Sequence, residues 1–227
     1  MTLERTSLPR TSEGVAAAEL RDAIVRGNLA PGQKIRQEAT AQQLGISLIP
    51  LREALKTLAS EGIVTYHPQR GYFVTELPAA AIADIYVVRD LLERQAEELA
   101  IPAMQPSDFE VMAAELREQA RAVEERDAVT MISTNRAFHF TIFERCGNAW
   151  LLRYVTQLWD TLDPYRVLSY RRMWIEDPTG EAPGAILEEH ERIMVAVGRR
   201  RTDTALRLLE RHRKRSETFL STLVERR

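Results

Sequence analysis

Gly45-Ile46-Ser47-Leu48-Ile49-Pro50-Leu51-Arg52-Glu53-Ala54-Leu55-Lys56-Thr57-Leu58 decides the fold of the N-terminal third. Gly45 ends the helix before it, because glycine readily takes the left-handed conformation of a helix C-terminus. Ser47 is placed to cap a new helix, and Pro50 falls in its first turn, where a missing N–H does no harm. Leu51, Ala54, Leu55 and Leu58 then recur at i, i+3, i+4 and i+7, the spacing of one buried helical stripe. Arg52, Glu53 and Lys56 fall outside that stripe. Arg52 and Lys56 stand four residues apart, on one face.

Upstream, Ser12 is a candidate N-cap, and Leu20, Ala23 and Ile24 recur at helical spacing until Gly27 stops the helix. Pro31-Gly32 reads as a turn, Lys34-Ile35 as a short extended piece, and Glu38 to Leu44 as a short helix. Downstream, Glu61-Gly62 ends the third helix. Ile63–Tyr66 and Tyr72–Val74 read as two strands, and the five residues from His67 to Gly71 as their hairpin loop. Two helices joined by a glycine turn, with a helix before and a hairpin after, make a winged helix-turn-helix. The alternative is some other small α+β domain.

In a helix-turn-helix the N-terminal residues of the second helix reach base edges in the major groove. Ser47, Leu48, Ile49 and Arg52 occupy that place, with Lys56 one turn on. Arginine stands out because it can pair with guanine through two parallel bonds. Arg36 is assigned to phosphate, as are Gln69, Arg70 and the Gly71 backbone at the hairpin. The plainer reading of Arg52 is a solvated side chain or an ion pair with Glu53. Its place on the recognition helix favours the DNA contact.

After Leu77-Pro78 the pattern is helical almost to the end, with no alternating strand. Pro102, Pro106, Pro164, Pro178 and Pro183 are expected to mark loops, and Asp177–Gly184 is the most loop-like stretch. The fold class is therefore mainly α. A winged helix-turn-helix spans residues 1–76, and an all-α antiparallel bundle of about six helices spans 77–227.

Composition bounds the function more loosely. Residues 1–76 hold 9 Lys and Arg against 8 Asp and Glu, and the remainder 22 against 25. The lean toward positive charge in the first part has the right sign for DNA, but binding needs a local patch, so the balance alone decides nothing. Cys146 is the one cysteine, so no internal disulfide forms, and a buried structural thiol is the favoured reading. No run of about 18 apolar residues exists, so no membrane partner is expected. Met1–Arg10 lacks the apolar core of a secretory signal, and a cytoplasmic location is expected. Phe138, Trp150, Tyr154, Trp159, Tyr165 and Tyr170 read as core or pocket wall.

The N-terminal segment resembles the GntR family of regulators. The match is carried by Ile24-x-x-Gly27-x-Leu29-x-Pro31-Gly32, then Gly45 through Leu55, Leu58, Glu61-Gly62-Ile63-Val64 and Arg70-Gly71-Tyr72-Phe73-Val74. That family usually reads V-S-R-T-P-V-R-E-A-L over the recognition helix. Here Leu48 replaces its base-contacting arginine and Ile49 its threonine, and Thr40 stands where a core leucine is common. Leu48 offers only apolar contact, for instance to a thymine methyl.

The rest of the chain resembles the FCD effector domain of the FadR subfamily, through Arg89-x-x-Leu92-Glu93, Asn135-x-x-Phe138-His139, Gly147-Asn148, Glu189-His190 and His212. In many such domains an Asp and three His hold a divalent metal at the centre of the bundle. The resemblance places that set on Asn135, His139, His190 and His212, with Asn in place of Asp. Zinc or nickel suits imidazole ligands. Asn135 and His139 share a helical face, and His190 and His212 lie on two arms of an expected hairpin turning near Gly198–Asp203. Three neutral imidazoles and a neutral amide leave the ion's charge uncompensated, so the expected effector is a small organic acid. Arg89 would grip its carboxylate. The plainer reading of Arg89 is an i, i+4 pair with Glu93.

The expected function is a ligand-responsive regulator, most simply a repressor, that binds double-stranded operator DNA as a homodimer. One competing reading is a metal-dependent hydrolase built on the three histidines, with Glu93 or Glu189 as base. No HExxH spacing, nucleophile elbow or phosphate-binding glycine loop accompanies it, so no enzyme is expected. The other is a DNA-binding protein whose sensor has lost its metal through Asn135.

Overall fold

The computed structural model describes residues 12–177 and 181–225. Met1–Arg10 and Pro178, both used above, lie outside the described residues. The chain divides into two compact units between Glu76 and Leu77.

The first unit contains α1 (Ser12–Val25), α2 (Gln37–Leu44), α3 (Leu48–Ser60), β1 (Val64–His67) and β2 (Gly71–Val74). Leu51, Ala54, Leu55 and Leu58 are fully buried and pack with Leu20, Ile24, Ile35, Val64 and Val74. Truncating one such leucine would cost roughly 2–5 kcal/mol. Gly45 sits at φ 65°. The Ile46 N–H donates to the Ala41 carbonyl at 3.0 Å and the Gly45 N–H to Gln42 at 3.2 Å. This pair of bonds closes α2 and turns the chain into α3.

Three local expectations change. Ser12 is the first residue of α1 rather than the cap before it. Ser47 has the extended backbone of an N-cap, but its side chain makes no capping bond. The hairpin is tighter than expected: His67 pairs with Gly71, leaving a loop of Pro68, Gln69 and Arg70. Positive φ at Gln69 (63°) and Gly71 (93°) makes the short turn. Lys34 bridges to Phe73, and the Ile35 N–H donates to the Tyr72 carbonyl at 2.9 Å, so the expected extended piece flanks the wing.

The second unit contains α4 (Ala79–Ala100), α5 (Pro106–Glu125), α6 (Ala128–Phe143), α7 (Ala149–Glu176), α8 (Glu181–Gly198) and α9 (Thr202–Glu225). These are the all-α bundle of the sequence reading. α4 packs on α7 and α9, and α5 on α6 and α8, while α8 and α9 form the expected hairpin. Asp127 caps α6 by accepting from Val129 and Thr130, and Asn148 caps α7 by accepting from Leu151. Among the described residues no helix is long and apolar enough to cross a membrane.

The prolines were poor guides here. Pro164 lies inside α7, and Pro183 lies in the first turn of α8. α8 begins at Glu181, so residues 181–184 are helix rather than loop. Pro106 starts α5. Pro164 can donate no bond to the Asp160 carbonyl. Leu162, Asp163, Tyr165, Arg166 and Val167 around it are all buried, and that packing carries the helix through. Trp150 and Tyr154, expected in the core or a pocket wall, are exposed on α7.

Candidate metal and effector centre and DNA interface

His139 comes from α6, His190 from α8 and His212 from α9, and all three are buried at the centre of the second unit. Their ligand nitrogens lie within 4.8 Å of one another. Phe138 stacks on His190 with ring centres 4.7 Å apart. Asn135 is buried one turn before His139 and lines the same cavity.

The outer hydrogen bonds fix which nitrogens face inward. His190 Nδ1 lies 2.7 Å from Gln119 Oε1, and His212 Nδ1 lies 2.9 Å from Glu189 Oε2. Amide and carboxylate oxygens accept, so both Nδ1 atoms carry the proton and both Nε2 atoms present lone pairs. Those two Nε2 atoms are 3.3 Å apart. His139 Nε2 is buried with no hydrogen-bond partner. Two inward lone pairs and a third buried, unpartnered imidazole nitrogen make a donor set that suits a divalent ion, and the outer partners are of the kind that orient metal-bound imidazoles. The residues therefore fit the group that the sequence suggested.

Electrostatics agree. Burial holds His139 and His190 well below the usual 6.5, with His212 adding to both, so these imidazoles stay neutral. Burial also lowers His212, against the pull of Glu189. Burial raises Glu189, but its bond to His212 and the neighbouring Arg215 guanidinium outweigh that and keep it ionised. Arg215 Nη1 donates to Glu189 Oε1 at 2.8 Å.

A cavity of about 300 Å³ opens beside the cluster. Arg89 lines it and is 2% exposed. Its pair with Glu93 is present. Its Nε donates to Glu93 Oε1 at 2.5 Å, and its guanidinium lies over Tyr86 and Trp159. Its Nη1 is buried with no hydrogen-bond partner. The sequence reading missed Gln119, which carries no spacing signal, and the cavity arginines Arg166, Arg213 and Arg215. Glu189 entered only within the family match beside His190 and as a hypothetical base, not as the partner that orients His212.

In the first unit the predicted DNA contacts separate into groups. Ser47 and Ile49 stand exposed at the start of α3, Ile49 at 75%. Leu48 instead turns toward the core and packs against it, so it is less open to a base than the sequence implied. Arg52 is exposed, and its Nε donates to Gln37 Oε1 at 3.0 Å rather than to Glu53. Lys56 pairs with Glu53 at 2.7 Å. Arg36 is exposed at the start of α2. At the wing, Gln69 and Arg70 are exposed and Gly71 is partly covered. The Arg70 guanidinium lies 5.3 Å from the Phe73 ring and Lys34 5.9 Å from it, which gathers positive charge beside the loop.

A winged helix-turn-helix followed by a helical bundle with a buried histidine cluster defines a DNA-binding transcriptional regulator. Residues 12–74 match the bacterial regulatory proteins of the gntR family, and residues 84–215 match the FCD domain. The chain belongs to the GntR family of regulators and carries an FCD domain. The HTH-type transcriptional repressor GlaR of Escherichia coli is 29% identical over 198 residues, 85% of this chain and 88% of that protein. An uncharacterized HTH-type transcriptional regulator of Bacillus subtilis, YdhC, is 28% identical over 189 residues, covering 82% and 81%. The solved structure of Escherichia coli McbR/YncC shares the fold, with a TM-score of 0.81 over 92% of this chain and 97% of that one at 23% identity. The protein is thus a DNA-binding transcriptional regulator and not an enzyme.

Proposed function

We propose that this regulator is a cytoplasmic repressor that leaves its operator when a small organic acid binds beside a divalent ion. The observation that carries the proposal is the convergence of three imidazoles, with ligand nitrogens within 4.8 Å of one another, next to a cavity that Arg89 lines. His139, His190 and His212 hold the ion, with Asn135 as a fourth, neutral oxygen donor. Zinc or nickel matches that set. The bound ion supplies positive charge at the cavity wall. Arg89 completes the grip on a carboxylate.

DNA is read by Ser47, Ile49 and Arg52, while Arg36, Lys56, Gln69, Arg70 and the Gly71 backbone hold phosphate. Two copies pair through the second unit, because one recognition helix reads too few base pairs for useful specificity. The effector releases DNA only if it binds more tightly to the form with low operator affinity. That GlaR is a repressor supports the sign of the response.

Selection on randomised DNA gives an operator, and a gel shift on it in the presence of organic acids tests the proposal. Release by at least one acid, from protein that carries about one divalent ion per chain, is the expected result. A metal-loaded protein that no acid dissociates from DNA overturns it.

A further inference from the structure

The cavity has two chemically different ends. At one end stand His139, His212 and Arg89, with the unpartnered Nη1 of Arg89 buried there. The other cavity guanidiniums are largely engaged. Arg166 pairs with Asp163 at 2.7 Å, and Arg213 with Glu97 at 2.5 Å and Asp90 at 3.1 Å. Arg215 pairs with Glu189 at 2.8 Å through Nη1, while its Nη2 is buried with no hydrogen-bond partner. Along α8 the wall runs from the turn of His190 back to Ile186, Ala185 and Ala182. Along α9 it runs from His212 to Ser216, Phe219 and Leu220. At about 1.5 Å per residue, seven or eight residues place the far end roughly 10–12 Å from the histidines. Tyr170 and Met173 of α7 line that stretch as well, and Ile186, Met173, Phe219 and Leu220 make its wall largely apolar. Ala182 and Ala185 are exposed, so this end is the mouth.

Size points the same way. A cavity of about 150 Å³ holds a benzene ring, and this one measures about 300 Å³. A carboxylate head alone would leave most of it unfilled and its apolar walls without contacts.

From this geometry we infer that the effector is a carboxylate with an apolar body. The body is about the size of a phenyl ring or a six-carbon chain, its head lies at Arg89 and the histidines, and its tail lies along Ile186, Met173 and Phe219. This rests on the organic-acid reading above and narrows it. Compact polyacids carry no apolar body to cover Met173, Ile186 and Leu220, so they are disfavoured.

The test is titration calorimetry of the full-length, metal-loaded protein with acetate, butyrate, hexanoate, phenylacetate, succinate and citrate. Each added methylene from acetate to hexanoate is expected to tighten Kd by roughly three- to four-fold. Succinate and citrate are expected to bind at least ten-fold more weakly than hexanoate. Ala185→Asp, at an exposed position on the mouth, is expected to weaken hexanoate by about ten-fold and leave acetate unchanged. A Kd that is flat along the series, or tightest for citrate, overturns the apolar tail and leaves the organic-acid reading standing. Binding of none of these acids, with hexanol binding in their place, overturns the organic-acid reading as well.

Discussion

The Nε2 atoms of His190 and His212 face one another at 3.3 Å, and each ring has already given its one proton to an acceptor on its far side. Gln119 and Glu189 thereby set the tautomers of the two rings in the proposed metal centre. Removing either partner frees the imidazole to rotate or change tautomer. Gln119→Leu and Glu189→Ala are each expected to weaken metal affinity by about 10–100-fold, measured by competition with a chromophoric chelator. Unchanged affinity in both variants would show that these bonds do not serve a metal.

The same cluster sets an acid limit on the metal-stripped protein. His139 and His190 are held well below 6.5 by burial, with His212 contributing to each. A lowered folded pKa means that the unfolded chain binds more protons below 6.5. Stability is then fully present above about pH 6.5 and falls as pH drops below it. The melting temperature of the stripped protein is expected to decline from pH 6.5 to pH 5, and the His139→Phe variant to decline less. A bound ion is expected to raise the melting temperature, and acid to release it, because imidazole cannot hold a proton and a metal on one nitrogen.

How much of this was legible in the sequence depends on whether the signal was local. The Gly45 turn, the Leu51–Leu58 stripe and the position of Pro50 are local, and α3 follows from them. Asn135 and His139 share a face by spacing alone. The convergence of His139, His190 and His212 was reached through family resemblance, since histidines on three helices reveal nothing by spacing about meeting in space. Gln119 sits on α5, 71 residues from the histidine it orients, and no pattern marks it. Pro164 misled because burial of its neighbours overrode a local helix breaker. Leu48 and Ile49 are adjacent and equally apolar, and only the helix orientation sends one inward and the other out.

Arg52 and Arg70 should fail differently. Arg52 is on the recognition helix, and its bond to Gln37 fixes the guanidinium before DNA arrives. Arg52→Ala is expected to lose about 1–3 kcal/mol per half-site on the selected operator, with little change on random DNA. Arg70→Ala, at the wing, is expected to weaken binding to all sequences and to reduce the slope of log affinity against log salt by about one. Fluorescence anisotropy at several salt concentrations separates the two. Equal losses on specific and random DNA for Arg52→Ala would return it to a phosphate role.

Val87, Val88 and Leu91 make an exposed apolar stripe on α4, 63%, 43% and 68% exposed. Valines and a leucine at i, i+1 and i+4 on one helical face suit pairing with a second copy of the same helix about a two-fold axis. Leu91→Asp is expected to shift the protein from dimer to monomer by light scattering at micromolar concentration and to weaken operator binding at least ten-fold. A Leu91→Asp protein that remains dimeric would place the interface elsewhere.

Ile49 is an exposed apolar side chain of the first unit. It is 75% exposed at the N-terminal end of α3, while Leu48 beside it packs into the core. An exposed isoleucine at this point of a recognition helix meets the major groove, where the one apolar group on a base pair is the thymine C5-methyl. The selected operator is therefore expected to carry a thymine at the position Ile49 faces. Replacing that thymine by uracil removes the methyl and leaves every hydrogen-bonding group in place, so it isolates the apolar contact. A loss of about three- to ten-fold is expected, of the order of one buried methyl group. Ile49→Ala is expected to bind thymine and uracil operators alike, because the contact is already gone. Ile49→Thr should keep part of the preference through its own methyl. If the wild-type protein binds the uracil operator as tightly as the thymine one at every position of the half-site, Ile49 makes no methyl contact, and its exposure is that of an ordinary surface residue.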